Sequence, residues 1–210
     1  MKKIAAVFIL SALILSGCTG TRFSATWKDP NYTGKSYEKL LVWALSDNVA
    51  ARATVEDETT YFLKLKGINA VSGADILPAD RSAIPKDQEV VKKKLVDAGY
   101  EAVLTVGLID VKEETHYVQG NYTPAAFGYY GSFYGYYPYM YGSVYQQGYY
   151  ASSTNVYLET NLWDVNTGKL VWSGQSKSSD VSSVDKLANS YARAVVSELI
   201  SKGLLLPSKK

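Results

Sequence analysis

In 210 residues the chain carries a single cysteine and a single histidine. One cysteine rules out an internal disulfide, so whatever core forms must hold by packing alone. One histidine, His116, leaves little to build a metal centre from, because zinc sites draw on three or four converging ligands. There is no Gly-x-Ser-x-Gly elbow, no phosphate-binding loop and no dinucleotide glycine fingerprint. Long hydrophobic runs are missing too. The apolar run Ile4 to Leu15 has 12 residues, whereas a membrane-spanning helix needs about 20. An excess of one charge sign is also absent: 22 basic residues face 20 acidic ones, which argues against a nucleic-acid partner, since that would need a basic stripe. The last absence is local. From Thr115 to Leu158 there is no Asp, Glu, Lys or Arg at all.

At the amino terminus, Met1-Lys2-Lys3 precedes the apolar run, and Leu15-Ser16-Gly17-Cys18 closes it. A basic start, a short apolar stretch and small residues before a cleavage point are the parts of a secretory signal. With the sole cysteine placed just after the small residues, the segment resembles a bacterial lipobox; the other reading is an ordinary cleaved signal with an incidental cysteine. The lipobox resemblance implies that Cys18 carries covalent lipid after removal of residues 1–17. Several acyl chains together anchor a protein permanently. Thr19, rather than Asp, follows the cysteine, which by analogy with enteric sorting implies the outer membrane, with the domain facing the periplasm. Loss of Lys2 and Lys3 leaves the mature chain close to neutral.

Residues 18–37 are polar and broken by Asp29-Pro30 and Gly34, so they are expected to be a tether, or, through Trp27, a strap docked on the domain. Residues 38–206 suit one domain with one core. Lys39 to Leu45 is a continuous apolar run of strand length. Ser46-Asp47-Asn48 offers helix caps before a helix over Val49 to Lys66, which Gly67 stops. Ile68 to Val71 is a second short strand, and a helix spans Lys86 to Ala98. Tyr100 to Ile109 is a third strand that turns polar and continues as a ribbon. Ser153 to Val165 alternates apolar and polar positions, and Asp164 to Lys169 forms a hairpin loop with Gly168 in the left-handed position. Lys169 to Gly174 is its partner strand. Ser183 to Lys202 carries the cleanest helical stripe: Val184, Leu187, Ala188, Tyr191, Ala192, Val195, Val196 and Leu199. The fold expected is α/β with a mixed sheet of about five strands in the order β-α-β-α-β-β-β-α. Three parallel strands continue into an antiparallel meander, with helices packed on the sheet.

Inserted in that plan, at about 117–153, is a tyrosine-rich hairpin. Tyrosine takes 12 of the 34 positions from Tyr117 to Tyr150, an overgrown connection of the kind that is functional or disordered. Tyr129, Tyr130, Phe133, Tyr134, Tyr136, Tyr137, Tyr139, Tyr141 and Tyr145 are the candidate partner-binding residues. Tyrosine offers wide apolar contact and a hydroxyl at low rotamer entropy, and the interspersed glycines let the rings adapt. The partner would be an envelope protein or the glycan strands of peptidoglycan. Two other readings stay open: self-association into a homo-oligomer through paired strands, and a low-complexity insert that is merely tolerated.

Elsewhere, Glu113, Glu114 and His116 sketch a metal site, but in a strand only Glu114 and His116 share a face. Asp110, Glu159 and Asp164 are possible paired carboxylates, although charges on an exposed sheet face are ordinary. Arg52 and Glu56, four apart on a helix, are expected to form a surface ion pair and mark a secondary surface. A binding module rather than an enzyme is expected, with no metal and no cofactor beyond the lipid.

Taken together, the lipobox, Trp27-Lys-Asp-Pro-Asn-Tyr-Thr-Gly34, Arg52 with Glu56, Gly99-Tyr-Glu-Ala-Val-Leu104, Leu158-Glu-Thr-Asn-Leu-Trp-Asp164 and Thr167-Gly-Lys-Leu-Val-Trp-Ser-Gly174 resemble a group of uncharacterised bacterial lipoproteins with a Tyr/Gly-rich insertion. That resemblance implies an anchored α/β domain and brings no activity with it. More remotely, the element order is similar to that of the TolB amino-terminal domain, the curli-secretion lipoprotein and the lipoprotein activators of peptidoglycan synthases. A shared fold does not imply a shared function.

Overall fold

A computed structural model describes residues 20–34, 36–76, 88–118 and 149–207. The signal segment, Cys18 and the candidate aromatic residues from Tyr129 to Tyr145 lie outside them. The chain divides into two units, residues 1–112 with 154–210, and residues 113–153. In the second unit the described parts are the end of one strand, to Val118, and the start of another, from Tyr149. Among the described residues no helix is long and apolar enough to cross a membrane.

The first unit is a six-stranded mixed sheet with helices packed on it. Its strands are β1 (Thr21–Lys28), β2 (Lys39–Leu45), β3 (Asn69–Ser72), β4 (Ala102–Val118), β5 (Tyr149–Asp164) and β6 (Leu170–Ser178), in the spatial order β1-β6-β5-β4-β2-β3. β2 pairs in parallel with both β3 and β4, as the alternation of strands and helices requires. β6 is antiparallel to β5 and to β1. The helices among the described residues are α1 (Val49–Leu65), α2 (Gly73–Ile76), α3 (Gln88–Asp97) and α4 (Val184–Ser201).

The sixth strand is a correction. Residues expected to tether or strap the domain instead form β1, hydrogen-bonded along the outer edge of β6 from Thr21 opposite Ser178 to Lys28 opposite Trp172. Composition misled here because an edge strand with one wet face needs few apolar residues. One of those few, Phe23, meets the buried Trp172 ring edge to face at 5.5 Å, while Trp27 remains exposed. Polar ties secure the start of the strand. The Thr21 hydroxyl lies 2.6 Å from Ser178 Oγ and 2.9 Å from Ser190 Oγ of α4.

Strand β2 reads as continuously apolar because both of its faces are covered. Leu40, Val42 and Ala44 join Leu104, Val106, Leu158, Leu162 and Trp172 in the main core. On the opposite face Leu41 packs with Tyr100, Val103 and Val165, against which Leu95 of α3 also rests. Helix α4 seals the main core with Ala188, Tyr191, Ala192, Val195, Val196 and Leu199, all buried. Buried Tyr191 keeps its hydroxyl satisfied at 2.9 Å from Thr160 Oγ1, as a phenol in a core must. Beside α4 lies α1, where the Arg193 guanidinium sits 4.6 Å from the centre of the Phe62 ring and Asn189 Nδ2 donates to Glu58 Oε1.

Side chains cap the starts of both α1 and α4, at Asn48 as expected and also at Ser183. Asn48 Oδ1 accepts from Ala51 N at 3.0 Å, and Ser183 Oγ accepts from Lys186 N at 3.2 Å, each satisfying an orphan donor. The β5–β6 loop uses Gly168 at φ 69°, as its position implied.

Close packing at the β1–β6 edge makes Gly174 irreplaceable. A Cβ there would lie 2.5 Å from the Trp172 ring and 2.8 Å from Phe23. Since Trp172 is fully buried and has no room to retreat, Gly174→Ala should lower the unfolding free energy by about 1–3 kcal/mol. A urea titration followed by tryptophan fluorescence reads this as a lower midpoint at unchanged slope.

Candidate functional site

The carboxyl ends of the parallel strands meet the start of α1, the place where open α/β sheets form crevices. Arg52 projects there from the start of α1 and Glu56 from one turn further along the helix. Against expectation they are not a surface pair: the side chains are 0% and 4% exposed. Spacing alone placed them four apart on one helical face. Which face turns inward was decided by the partners waiting on the sheet.

Those partners surround the Glu56 carboxylate. Oε1 accepts from Ala44 N at 2.8 Å and from Arg52 Nε at 3.0 Å. Oε2 accepts from Ser72 Oγ at 3.0 Å and from Ala74 N at 2.5 Å. One side chain thereby joins α1 to the end of β2, the end of β3 and the first turn of α2. Gly73 permits the approach, because a Cβ there would stand 3.0 Å from Val42 O and 3.2 Å from Glu56 Oε1.

Arg52 forms part of the wall of a pocket of about 250 Å³. The rest of that wall comes from Leu45 on β2, Val55 on α1, Leu108 on β4, Val156 on β5 and Leu187 on α4, among others. The lining is almost wholly apolar. Its one hydroxyl side chain, Ser46, accepts from Asn48 N at 3.1 Å. A recess of this kind suits an apolar group. No sequence motif announced it, since its residues come from both strands and helices across the whole chain.

The other candidate residues do not converge. Asp110 lies 3.5 Å from Lys112 Nζ, Glu159 Oε1 accepts from Asn161 Nδ2 at 2.8 Å, and Asp164 belongs to the β5–β6 loop. Among the described residues no three His, Cys, Asp or Glu side chains cluster in a way that could hold a metal ion; the His116 side chain lies outside the described residues.

Asp164 is instead a structural tie. Its Oδ1 accepts from Thr167 N at 2.7 Å and Thr167 Oγ1 at 2.8 Å, and its Oδ2 accepts from the Tyr37 hydroxyl at 3.0 Å. Burial alone would push the carboxyl up, but these hydrogen bonds outweigh it and hold Asp164 below its ordinary value. The Tyr37 phenol is raised, first by burial and then by its contacts with Tyr32 and Asp164. Tyr32 stacks on Tyr37 at 5.8 Å between ring centres.

No family model matches the chain, and no curated protein does. Among solved structures, the chain is similar to the PelC dodecamer from Paraburkholderia phytofirmans, at 14% identity over 90% of this chain and 98% of that one, with a TM-score of 0.46. It is also similar to lipoprotein GNA1162 from Neisseria meningitidis, at 16% identity, 78% and 98% coverage and a TM-score of 0.39. A third is a neuraminyllactose-binding hemagglutinin homolog from Helicobacter pylori, at 14% identity, 82% and 88% coverage and a TM-score of 0.34.

Two outcomes follow from the geometry. Glu56→Ala leaves buried donors and the Arg52 cation without their shared acceptor, and should cost about 3–5 kcal/mol of stability in urea. Arg52→Ala should also destabilise, and the double variant should lose less than the sum of the two. For Asp164, whose folded pKa is depressed, the stabilisation is complete above the ordinary carboxylate range and is lost as pH falls through and below that range. Asp164→Asn should therefore flatten the acid limb of a stability–pH curve measured by urea midpoints.

Proposed function

We propose that this protein is a lipid-anchored lipoprotein of the bacterial envelope, held at the outer membrane and facing the periplasm, that binds a partner through its tyrosine-rich tract and catalyses no reaction. The observation that carries this reading is the tract itself. It places 12 tyrosines in 34 positions within a longer stretch free of Asp, Glu, Lys and Arg, and it joins β4 to β5 of a well-packed sheet. So many large aromatics in one connection suit contact with another surface, because contiguous apolar patches mark interaction sites. The binding of an envelope protein, or of peptidoglycan glycans stacked on ring faces, is what this composition favours.

Support for a non-catalytic role comes from the carboxylates. Asp110, Glu159 and Asp164 are each engaged separately, and none of them lines the recess beside Arg52, whose wall is almost wholly apolar. The anchor follows from the lipobox at Cys18. A second reading, assembly into a homo-oligomer through the tract, draws on the same lack of charge. Pro124 and Pro138 oppose a long continuous zipper.

The test is crosslinking in intact cells through a photoreactive residue at Tyr134, followed by identification of what is attached. One dominant foreign partner is the expected result. Crosslinks confined to a second copy of this chain would establish self-assembly instead, and an absence of any crosslink would reject both.

A further inference from the structure

The recess beside Arg52 opens at one end of the sheet, and that end is ringed by apolar side chains that nothing in the first unit covers. Leu45, Val49, Leu108, Ile109, Val111 and Val184 are all exposed. They come from the end of β2, the first residues of α1 and α4, and β4 past the point where β2 stops at the Leu45–Gly107 pair. Scattered exposed leucines are ordinary. Four of these, Leu45, Leu108, Val111 and Val184, line the apolar recess itself, and together they form a patch.

Strand β1 begins at this same end. Thr21 is opposite Ser178, and Ser178 is opposite Val156, which lines the recess. Two strand spacings therefore separate Thr21 from the pocket wall, about 10 Å. Only Thr19 and Gly20 stand between Thr21 and Cys18, a reach of about 10 Å at full extension. Because Thr21 is tied to both β6 and α4 through its hydroxyl, the tether has little length left to lift the domain.

We infer that this end of the sheet is applied to the lipid leaflet that holds the Cys18 anchor, with the apolar ring seated among the lipids and the recess opening toward them. This rests on the anchored reading of Cys18. The anchor holds the ring beside the leaflet, so contacts too weak to bind a membrane from solution become effective through high local concentration. Charges of both signs flank the ring, at Asp47, Asp110, Lys112, Asp185 and Lys186. The occupant is accordingly the apolar margin of a mostly zwitterionic leaflet, not an anionic headgroup.

The experiment uses the full acylated chain in vesicles of phosphatidylethanolamine with a minority of phosphatidylglycerol. Leu108→Cys carries a nitroxide, the Cys18 thiol being consumed by acylation. Tyr61→Cys is the reference: Tyr61 is 54% exposed against 60% for Leu108, and it lies about 18 Å along α1 from Val49. Accessibility to oxygen, which concentrates in lipid, is compared with accessibility to a water-soluble nickel chelate. The expected result is an oxygen-to-nickel ratio several-fold higher at position 108 than at position 61. Equal ratios overturn the inference, as does a label at 108 closed to both reagents, which would mean protein covers the ring. The mass of the amino-terminal peptide separates the two levels. An acylated chain with equal ratios defeats this inference alone, whereas an unacylated chain that does not float with the vesicles defeats the anchored reading and the inference with it.

Discussion

The carboxylate of Glu56 is fully buried and takes four hydrogen bonds, from Ala44 N, Arg52 Nε, Ser72 Oγ and Ala74 N. Much of the first unit depends on this arrangement. A charge removed from water is tolerable only when its acceptor capacity is filled, and here it is filled by three different elements besides its own helix. The carboxylate thus fixes how far along the sheet α1 sits and how it is rotated. It also brings the ends of β2 and β3 to the start of α2, where a Cβ at position 73 would crowd Val42 O and the carboxylate itself. Arg52, one turn nearer the start of the helix, is thereby placed in the wall of the apolar recess.

From that constraint the two ends of the sheet acquire different characters. At the end where Asp164 binds Tyr37 and Thr167, polar groups are paired with one another. At the end where α1 and α4 begin, backbone donors are capped by Asn48 and Ser183, while the side chains around them are apolar and open. A capped helix start surrounded by exposed Leu and Val has its hydrogen bonding satisfied and its hydrophobic surface unsatisfied. That combination suits a surface meant to be covered by something apolar.

Among the described residues, Glu56, Arg52 and Asp164 are engaged in ties between elements, and the recess beside Arg52 is lined almost wholly by apolar side chains. The unusual resource of the chain is contact area: the uncharged tyrosine tract and the apolar end of the sheet.

Several elements were legible in the sequence because their signals are local. The stripe of α4 apart from the exposed Val184, the doubly buried run of β2, the cap at Asn48 and the left-handed Gly168 depend on neighbours within a few residues, and each has the form its pattern implied. The alternation of strands and helices likewise carried the parallel pairing of β2 with β3 and β4. Two features escaped. Strand β1 is polar and proline-flanked, and only hydrogen bonds to β6, some 150 residues away along the chain, make it a strand. Arg52 and Glu56 have the spacing of a surface pair whichever way the helix is turned. Their burial followed from where Ala44 N, Ser72 Oγ and Ala74 N came to lie. The sequence by itself determined most of the elements, since those follow from short-range periodicity and steric preference, and its resemblance to a lipobox named the candidate anchor. Tertiary structure alone decided which charge went inside and which apolar residues stayed outside, because both depend on groups brought together from distant parts of the chain.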